Sequence, residues 1–303
     1  MNTQQILALA QQHMQMLNGH CFDVLEVAKP ASPEAAANLA KIISKLSPLV
    51  GNLIEFNTCE YLNQQDSFAG WGKWRRQDPG FPDTVFDGQV TPTPGLEIKA
   101  WFPLATEITA RFKDSQNHFL HDQTHVAMLA WLPEFLLFGK PQIVGIAVIP
   151  GGSIAKARDE HYHKPPGYLV LEPEDTTART SNLQQTNTNG YKFQGTPTQY
   201  QQALQIVENW GGNAGVYLPT RDYQALLREL LARFPYRLDT NFAKMDRIAH
   251  PRVEAFKAQV LATGFQGRTI GEWGRLFAKS DETRLGEILA AQFGIQSGGD
   301  VVR

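Results

Sequence analysis

Ile143-Val144-Gly145-Ile146-Ala147-Val148-Ile149 is a nearly continuous apolar run that Pro150-Gly151-Gly152 brings to a stop. Such a run is the signature of a strand buried on both faces, and a strand of that kind needs cover on both sides. It commits the chain to an α/β class in which a mixed central sheet is flanked by helices, with further helical elaborations towards both ends of the chain.

The segments before the run agree. Residues 3–17 (Gln4, Ile6, Leu7, Leu9, Met14, Met16, Leu17) carry a helical pattern stopped by Asn18-Gly19, and 20–27 reads as a short strand. Ser32-Pro33-Glu34 supplies a cap, a first-turn proline and a first-turn acid for an Ala-rich helix to about Leu46. Ser47-Pro48 repeats the device for a helix over about 48–63, which carries Glu55 between Ile54 and Phe56. Extended pieces follow at about 67–76, 81–88 and 94–102, and the turn residues Asp87-Gly88 and Pro92-Thr93-Pro94 join the last two as a hairpin. A helix is expected over about 119–138, rich in Leu, Ala, Trp and Phe, before the buried run.

Beyond it, 151–195 reads as a polar loop, a strand at Tyr168-Leu169-Val170-Leu171 and an Asn/Gln/Thr-rich run over 182–194. Helices are expected at about 197–209, 220–233, 251–262 and 269–292, with a strand at Gly215-Val216-Tyr217-Leu218. No internal repeat stands out. The preferred organisation is one domain over 1–303: an N-terminal helical arm (1–37), a core (38–150) and elaborations (151–303).

Composition narrows the class further. With 42% hydrophobic residues, 19% charged residues and a net charge of −2, the composition argues against coating nucleic acid through bulk charge and leaves room for a basic groove on an otherwise acidic body. No apolar run approaches the roughly 18 residues of a membrane span. Met1-Asn2-Thr3-Gln4-Gln5 lacks the cationic start of a secretory signal. Cys21 and Cys59, without CxxC spacing, fit a reducing compartment and no zinc site, so the cytoplasm is the expected location.

The chemistry concentrates in Phe81-Pro82-Asp83 and, fourteen residues after the aspartate, Glu97-Ile98-Lys99. In Gly95-Leu96-Glu97-Ile98-Lys99-Ala100-Trp101, alternation puts Glu97 and Lys99 on one face and Leu96, Ile98 and Ala100 on the other. Two carboxylates suit a hard divalent cation, and a nearby ammonium can orient a water for attack on phosphate. An acid-x-Lys on an amphipathic strand also reads as a solvated face with a cross-strand ion pair. Asp87 is a second acid on the same strand, placed before glycine as turns favour.

Pro82-Asp83 with Glu97-x-Lys99, in the order helix, three strands, helix, strand, resembles the PD-(D/E)xK nuclease superfamily, and within it the type II restriction endonucleases. The resemblance covers about residues 38–150. It implies that Asp83, Glu97 and the Ile98 carbonyl hold Mg²⁺, that Lys99 contacts the attacking water and the scissile phosphate, and that Glu55 binds or orients the metal's hydration shell. It further implies a homodimer that hydrolyses double-stranded DNA at a short palindromic site within a restriction–modification system. A structure-specific or repair nuclease of the same superfamily, or a catalytically inactive DNA-binding protein on the same fold, are the alternatives. No Gly-rich phosphate loop or nucleophile elbow supports an unrelated metabolic enzyme.

Several polar segments could meet DNA. Arg111, Lys113, Gln116 and Asn117 follow the Glu-x-Lys strand, where backbone or minor-groove contact and an ordinary polar connection fit equally. Arg158, His161, His163 and Lys164 cluster beside Pro165-Pro166, where phosphate contact, a His-x-His metal site and a plain surface loop all fit. Asn187, Asn189, Tyr191 and Lys192 lie in the amide-rich run, which reads either as a base-reading loop or as polar surface. Arg233, Arg237, Lys244, Arg247, His250 and Arg252 could track a backbone or simply end helices. Leu226, Leu227, Leu230 and Leu231 read as core or dimer interface.

Overall fold

The computed structural model describes residues 1–77, 80–104, 119, 121–162, 164–171, 189–215, 218, 220–238 and 249–296. At the N-terminus, Asn2 and Gln5 satisfy each other's backbone N–H groups and start α1 (Thr3–Gln15). Ser32 caps α2 (Pro33–Ile42), a 3₁₀ turn follows at Ile43–Leu46, and α3 spans Ser47–Asn63. Residues 20–27 form no strand ladder. They contribute isolated bridges, Cys21 to Gln142 and Val27 to Gly139.

Five strands build the central sheet in chain order: β1 (Gly72–Arg76), β2 (Thr84–Gly88), β3 (Gly95–Trp101), β4 (Thr124–Pro133) and β5 (Pro141–Pro150). The pairings β1–β2, β2–β3 and β4–β5 are antiparallel, while β3 and β4 run parallel with Glu97 opposite Val126 and Lys99 opposite Met128. The sheet is thus mixed, and helices flank it. On one face α3 comes close enough for Gly51 to meet Ala100, and its Asn63 exchanges hydrogen bonds with the backbone of Trp74. On the other, Trp101, Ala130 and Gly145 form a row across β3, β4 and β5. There α7 (Pro251–Ala262) seats Phe256 against Trp101, and a Cβ at Gly145 would lie 2.6 Å from Val260.

This arrangement corrects the reading of 119–138 as a helix. Residues 124–133 are the strand that sits between β3 and β5, and all ten are buried. An apolar stretch covered on both faces loses the alternation that would distinguish it from a buried helix. The run 143–149 is a strand, within β5, but it is not buried on both faces. It lies at the end of the sheet order, and Val144 to Ala147 are half-buried. Its free edge is covered by 19–22: Gly19 N–H donates to the Ile143 carbonyl, Ile143 N–H to His20, and Phe22 N–H to Pro141.

Residues 151–162 are not an open loop. They form α4 (Gly151–Tyr162), which starts directly at the end of β5. A second, smaller sheet follows, ordered β6 (Tyr168–Leu171), β7 (Asn189–Phe193), β8 (Tyr236–Leu238). With α5 (Pro197–Glu208) and α6 (Arg221–Arg233) it encloses a separate core of Leu169, Ala203, Val207, Tyr223, Leu227 and Leu230. The leucines of α6 that are fully buried therefore serve this core. The proposed strand at 215–218 lies largely outside the described residues.

After α7, a short hairpin of β9 (Gly264–Phe265) and β10 (Arg268–Thr269) leads into α8 (Ile270–Lys279) and α9 (Glu282–Phe293). The single helix expected over 269–292 is broken at Ser280-Asp281, where Asp281 caps α9. Gly286 lets α9 press against the backbone of Pro33 on α2. Among the described residues no helix is long and apolar enough to cross a membrane.

The central place of β4 and the edge place of β5 have a measurable consequence. Leu129→Ala in fully buried β4 should cost about 2–5 kcal/mol. Ile146→Ala, at the half-exposed position opposite it in β5, should cost clearly less. Urea midpoints of the two variants give the comparison.

Candidate active site

The site forms where β2 and β3 stop pairing. Their ladder consists of Thr84 opposite Leu96 and Val85 opposite Gly95. Beyond it side chains take over the backbone's hydrogen bonds. Ile98 N–H donates to Asp83 Oδ2 at 2.7 Å, and Asp83 N–H donates to Glu97 Oε2 at 3.2 Å. Each carboxylate thereby satisfies a main-chain donor that parted strands would orphan. The close approach depends on Gly95, since a Cβ there would lie 2.4 Å from Pro82 Cγ. From the β1 side, Gln77 clamps the same segment: its N–H donates to the Asp83 carbonyl at 2.7 Å and its Nε2 to the Pro82 carbonyl at 2.9 Å.

Lys99 closes the arrangement. Its Nζ lies 2.5 Å from Glu97 Oε1 and 3.5 Å from Asp83 Oδ2. The side chains of Asp83, Glu97 and Lys99 are only 17%, 9% and 11% exposed, so these interactions are poorly screened. Burial pushes the Glu97 carboxyl up to about 7, against the pull of the Lys99 ammonium and with the help of the Asp83 charge. Burial alone would depress Lys99. The carboxylates of Glu97 and Asp83, the hydrogen bond to Glu97 and the charge of Glu55 outweigh it and hold the ammonium well above its ordinary value.

Glu55 reaches the same cluster from α3. Its direct partner is Arg76, whose Nε donates to Oε1 at 2.8 Å. Burial raises its carboxyl, the Asp83 charge adds to that, and Arg76 and Lys99 oppose both. Arg76 and Gln77 were missed in the sequence reading. Their position in Trp74-Arg75-Arg76-Gln77, five residues ahead of Pro82-Asp83, does not by itself separate Arg76 from Arg75. Asp87 lies apart from the site, exposed and 3.6 Å from Arg75.

Among the described residues no group of three or more His, Cys, Asp or Glu side chains is placed to hold a metal. What does converge is a pair of carboxylates, Asp83 and Glu97, both within reach of one ammonium. With Glu55 and Arg76 included, three acids face two bases, leaving one negative charge over when all are ionised. That donor set fits a hard cation which takes one or two carboxylates and keeps its waters. Ile98 supplies its N–H to Asp83, and its side chain belongs to the main core.

The remaining candidates are scattered. Arg111, Lys113, Gln116, Asn117, His163 and Asn187 lie outside the described residues, as do Lys244 and Arg247 and the side chains of His161 and Asn189. Arg158 is fully buried on α4, not displayed on a loop, and in this conformation offers no surface to a phosphate. Lys164 is exposed. Tyr191 packs against the smaller core, and Lys192 beside it is exposed on β7. Arg233 and Arg237 are exposed. His250 is instead buried and meets Ser153 Oγ at 3.2 Å, and Arg252 donates to the Val148 carbonyl at 2.8 Å; both tie α7 to its surroundings.

Comparison with protein-family models, with curated proteins and with solved structures finds no match to this chain in any of the three.

The raised Glu97 carboxyl makes stability depend on pH. Its proton is held more tightly in the folded chain than in the unfolded one, where it titrates near 4.5. The stabilising contribution is therefore complete below about 4.5 and is lost as pH rises through about 7. In the presence of a chelator, the urea midpoint of the native protein should fall across that window relative to Glu97→Gln. Parallel pH profiles for the two proteins would contradict the assignment.

Proposed function

We propose that the protein is a Mg²⁺-dependent deoxyribonuclease of the PD-(D/E)xK kind, acting as a site-specific restriction endonuclease on double-stranded DNA and working as a homodimer. The observation that carries this reading is the meeting of the Asp83 and Glu97 carboxylates with the Lys99 ammonium where β2 and β3 part. The topology around it supports the same reading. A helix bearing Glu55 precedes three antiparallel strands, and the third of these runs parallel to a buried fourth.

In this reading Asp83 and Glu97 hold the cation, with the Ile98 carbonyl as a further oxygen. Bound Mg²⁺ would lower the pKa of a coordinated water and stabilise charge on the phosphate. The chain's own groups do the rest. Lys99 keeps its proton throughout the neutral range, so it acts as a donor to the attacking water and to a phosphate oxygen, not as a base. Glu55, restrained by Arg76, stands beside these groups as an acceptor for water. The hydrogen bond from Ile98 fixes the direction of the Asp83 carboxylate before any substrate arrives.

Incubation with phage DNA and Mg²⁺ should give discrete bands. A smear would mean a nuclease without site preference, and intact DNA would remove the nuclease reading. Lys99→Ala and Asp83→Asn should each abolish cleavage, on the order of a 10³-fold loss or more, while Ca²⁺ in place of Mg²⁺ preserves binding. Asp83→Asn retains an acceptor for Ile98 N–H, so its loss of activity would not be a loss of fold. Full activity in either variant would dismiss this site.

A further inference from the structure

The smaller sheet carries a feature its own stability does not explain. Register places Tyr168, Lys192 and Arg237 in one row across β6, β7 and β8. Lys192 and Arg237 are therefore direct cross-strand neighbours. Both are exposed, and neither forms an ion pair with a described residue. Like charges directly opposite each other destabilise a sheet, where an acid–base pair would support it. In a chain whose net charge is −2, two directly opposed cations are not a by-product of a basic composition.

The direction of this row is set by packing. Leu169, Tyr191, Phe193 and Tyr236 turn into the smaller core, and alternation sends Lys192 and Arg237 to the opposite face. On that face Tyr168, next to Lys192 in the row, packs against the main core, while the two cations stay exposed. Exposed Lys164 adjoins the row, its carbonyl accepting the N–H of Tyr168 at 3.2 Å.

We propose that this face, through Lys192 and Arg237, is a second contact surface for the phosphate backbone of duplex DNA, separate from the catalytic cluster and resting on the nuclease reading above. Cβ atoms on neighbouring strands start about 5 Å apart. Phosphates on one DNA strand follow each other at about 3.4 Å along the axis. Two long, flexible cations so spaced can therefore serve neighbouring phosphates. Contacts of this kind fix orientation and supply affinity without reading bases.

The test compares the native protein with Lys192→Gln/Arg237→Gln, using a duplex of about 30 base pairs in Ca²⁺ over a series of salt concentrations. Neutralising two phosphate contacts should weaken binding on the order of tenfold, equally for unrelated sequences, and flatten the slope of log affinity against log salt by about 2. Removal of the like-charge pair should leave the melting temperature unchanged or raise it. An unchanged slope and affinity in the double variant, with the native protein binding normally, overturns the surface and leaves the nuclease reading standing. Weakened binding accompanied by a fall in melting temperature assigns the pair a structural role and likewise overturns it. A native protein that takes up Mg²⁺ but has no affinity for duplex DNA overturns both.

Discussion

The hydrogen bond from Ile98 N–H to the Asp83 carboxylate joins the sheet to its chemistry. Strands that diverge leave backbone donors that must be satisfied by something. Here the acceptor is an acid from the neighbouring strand, so the separation of β2 from β3 and the concentration of negative charge are one structural event. The geometry is held from several sides. Pro82 sits over Gly95, Gln77 binds the carbonyls of Pro82 and Asp83, and β3 is backed by fully buried β4. A carboxylate so held cannot turn away without orphaning a main-chain donor, which is how preorganisation is built into a sheet.

Charge balance explains how these acids can be buried together. Removing one partner of a buried pair is far more costly than the pair is beneficial. Lys99 faces both Asp83 and Glu97, and Arg76 faces Glu55, so no acid in the cluster lacks a cation nearby. Compensation is nevertheless incomplete, as the upward shift of Glu97 and Glu55 shows. Burial that makes a lone carboxylate reluctant to ionise also strengthens its attraction to any cation brought close. The same low exposure thus raises both the cost of gathering these charges and the attraction they exert on a cation.

What could be read in the sequence follows the range of the interaction. Caps are local, and Ser32-Pro33 opens its helix as expected. Alternation over seven residues placed Glu97 and Lys99 correctly on β3, and the Asp87-Gly88 and Pro-rich turn closed the hairpin onto Asp83. The central strand β4 was read as a helix and the edge strand β5 as buried on both faces, because hydrophobicity reports cover, not position. β5 is apolar since residues 19–22 and α7 shield it, whereas β4 tolerates His125 and Trp131 in full burial. Pro150-Gly151-Gly152 was correctly a strand terminator, but it hid a helix. Small residues are needed there because Phe119 and the Thr124 carbonyl approach Gly151 closely. Arg76 could not be singled out from Arg75, since the difference between them is which face of β1 meets Glu55, twenty-one residues earlier in the chain.

The period of two that defines a strand also links the two cores. In β6, Tyr168 packs against the main core and Leu169 into the smaller one, so adjacent residues of one short strand serve different bodies. A slip of one residue would exchange them, taking Leu169 out of the core it shares with Leu227 and Leu230 and Tyr168 away from the main core. Register in this strand is therefore strongly specified. Because β7 and β8 pair with β6 in sequence, the same register dictates the face on which every side chain of the smaller sheet appears. The face on which Lys192 and Arg237 appear is in this way a consequence of hydrophobic packing at two neighbouring residues.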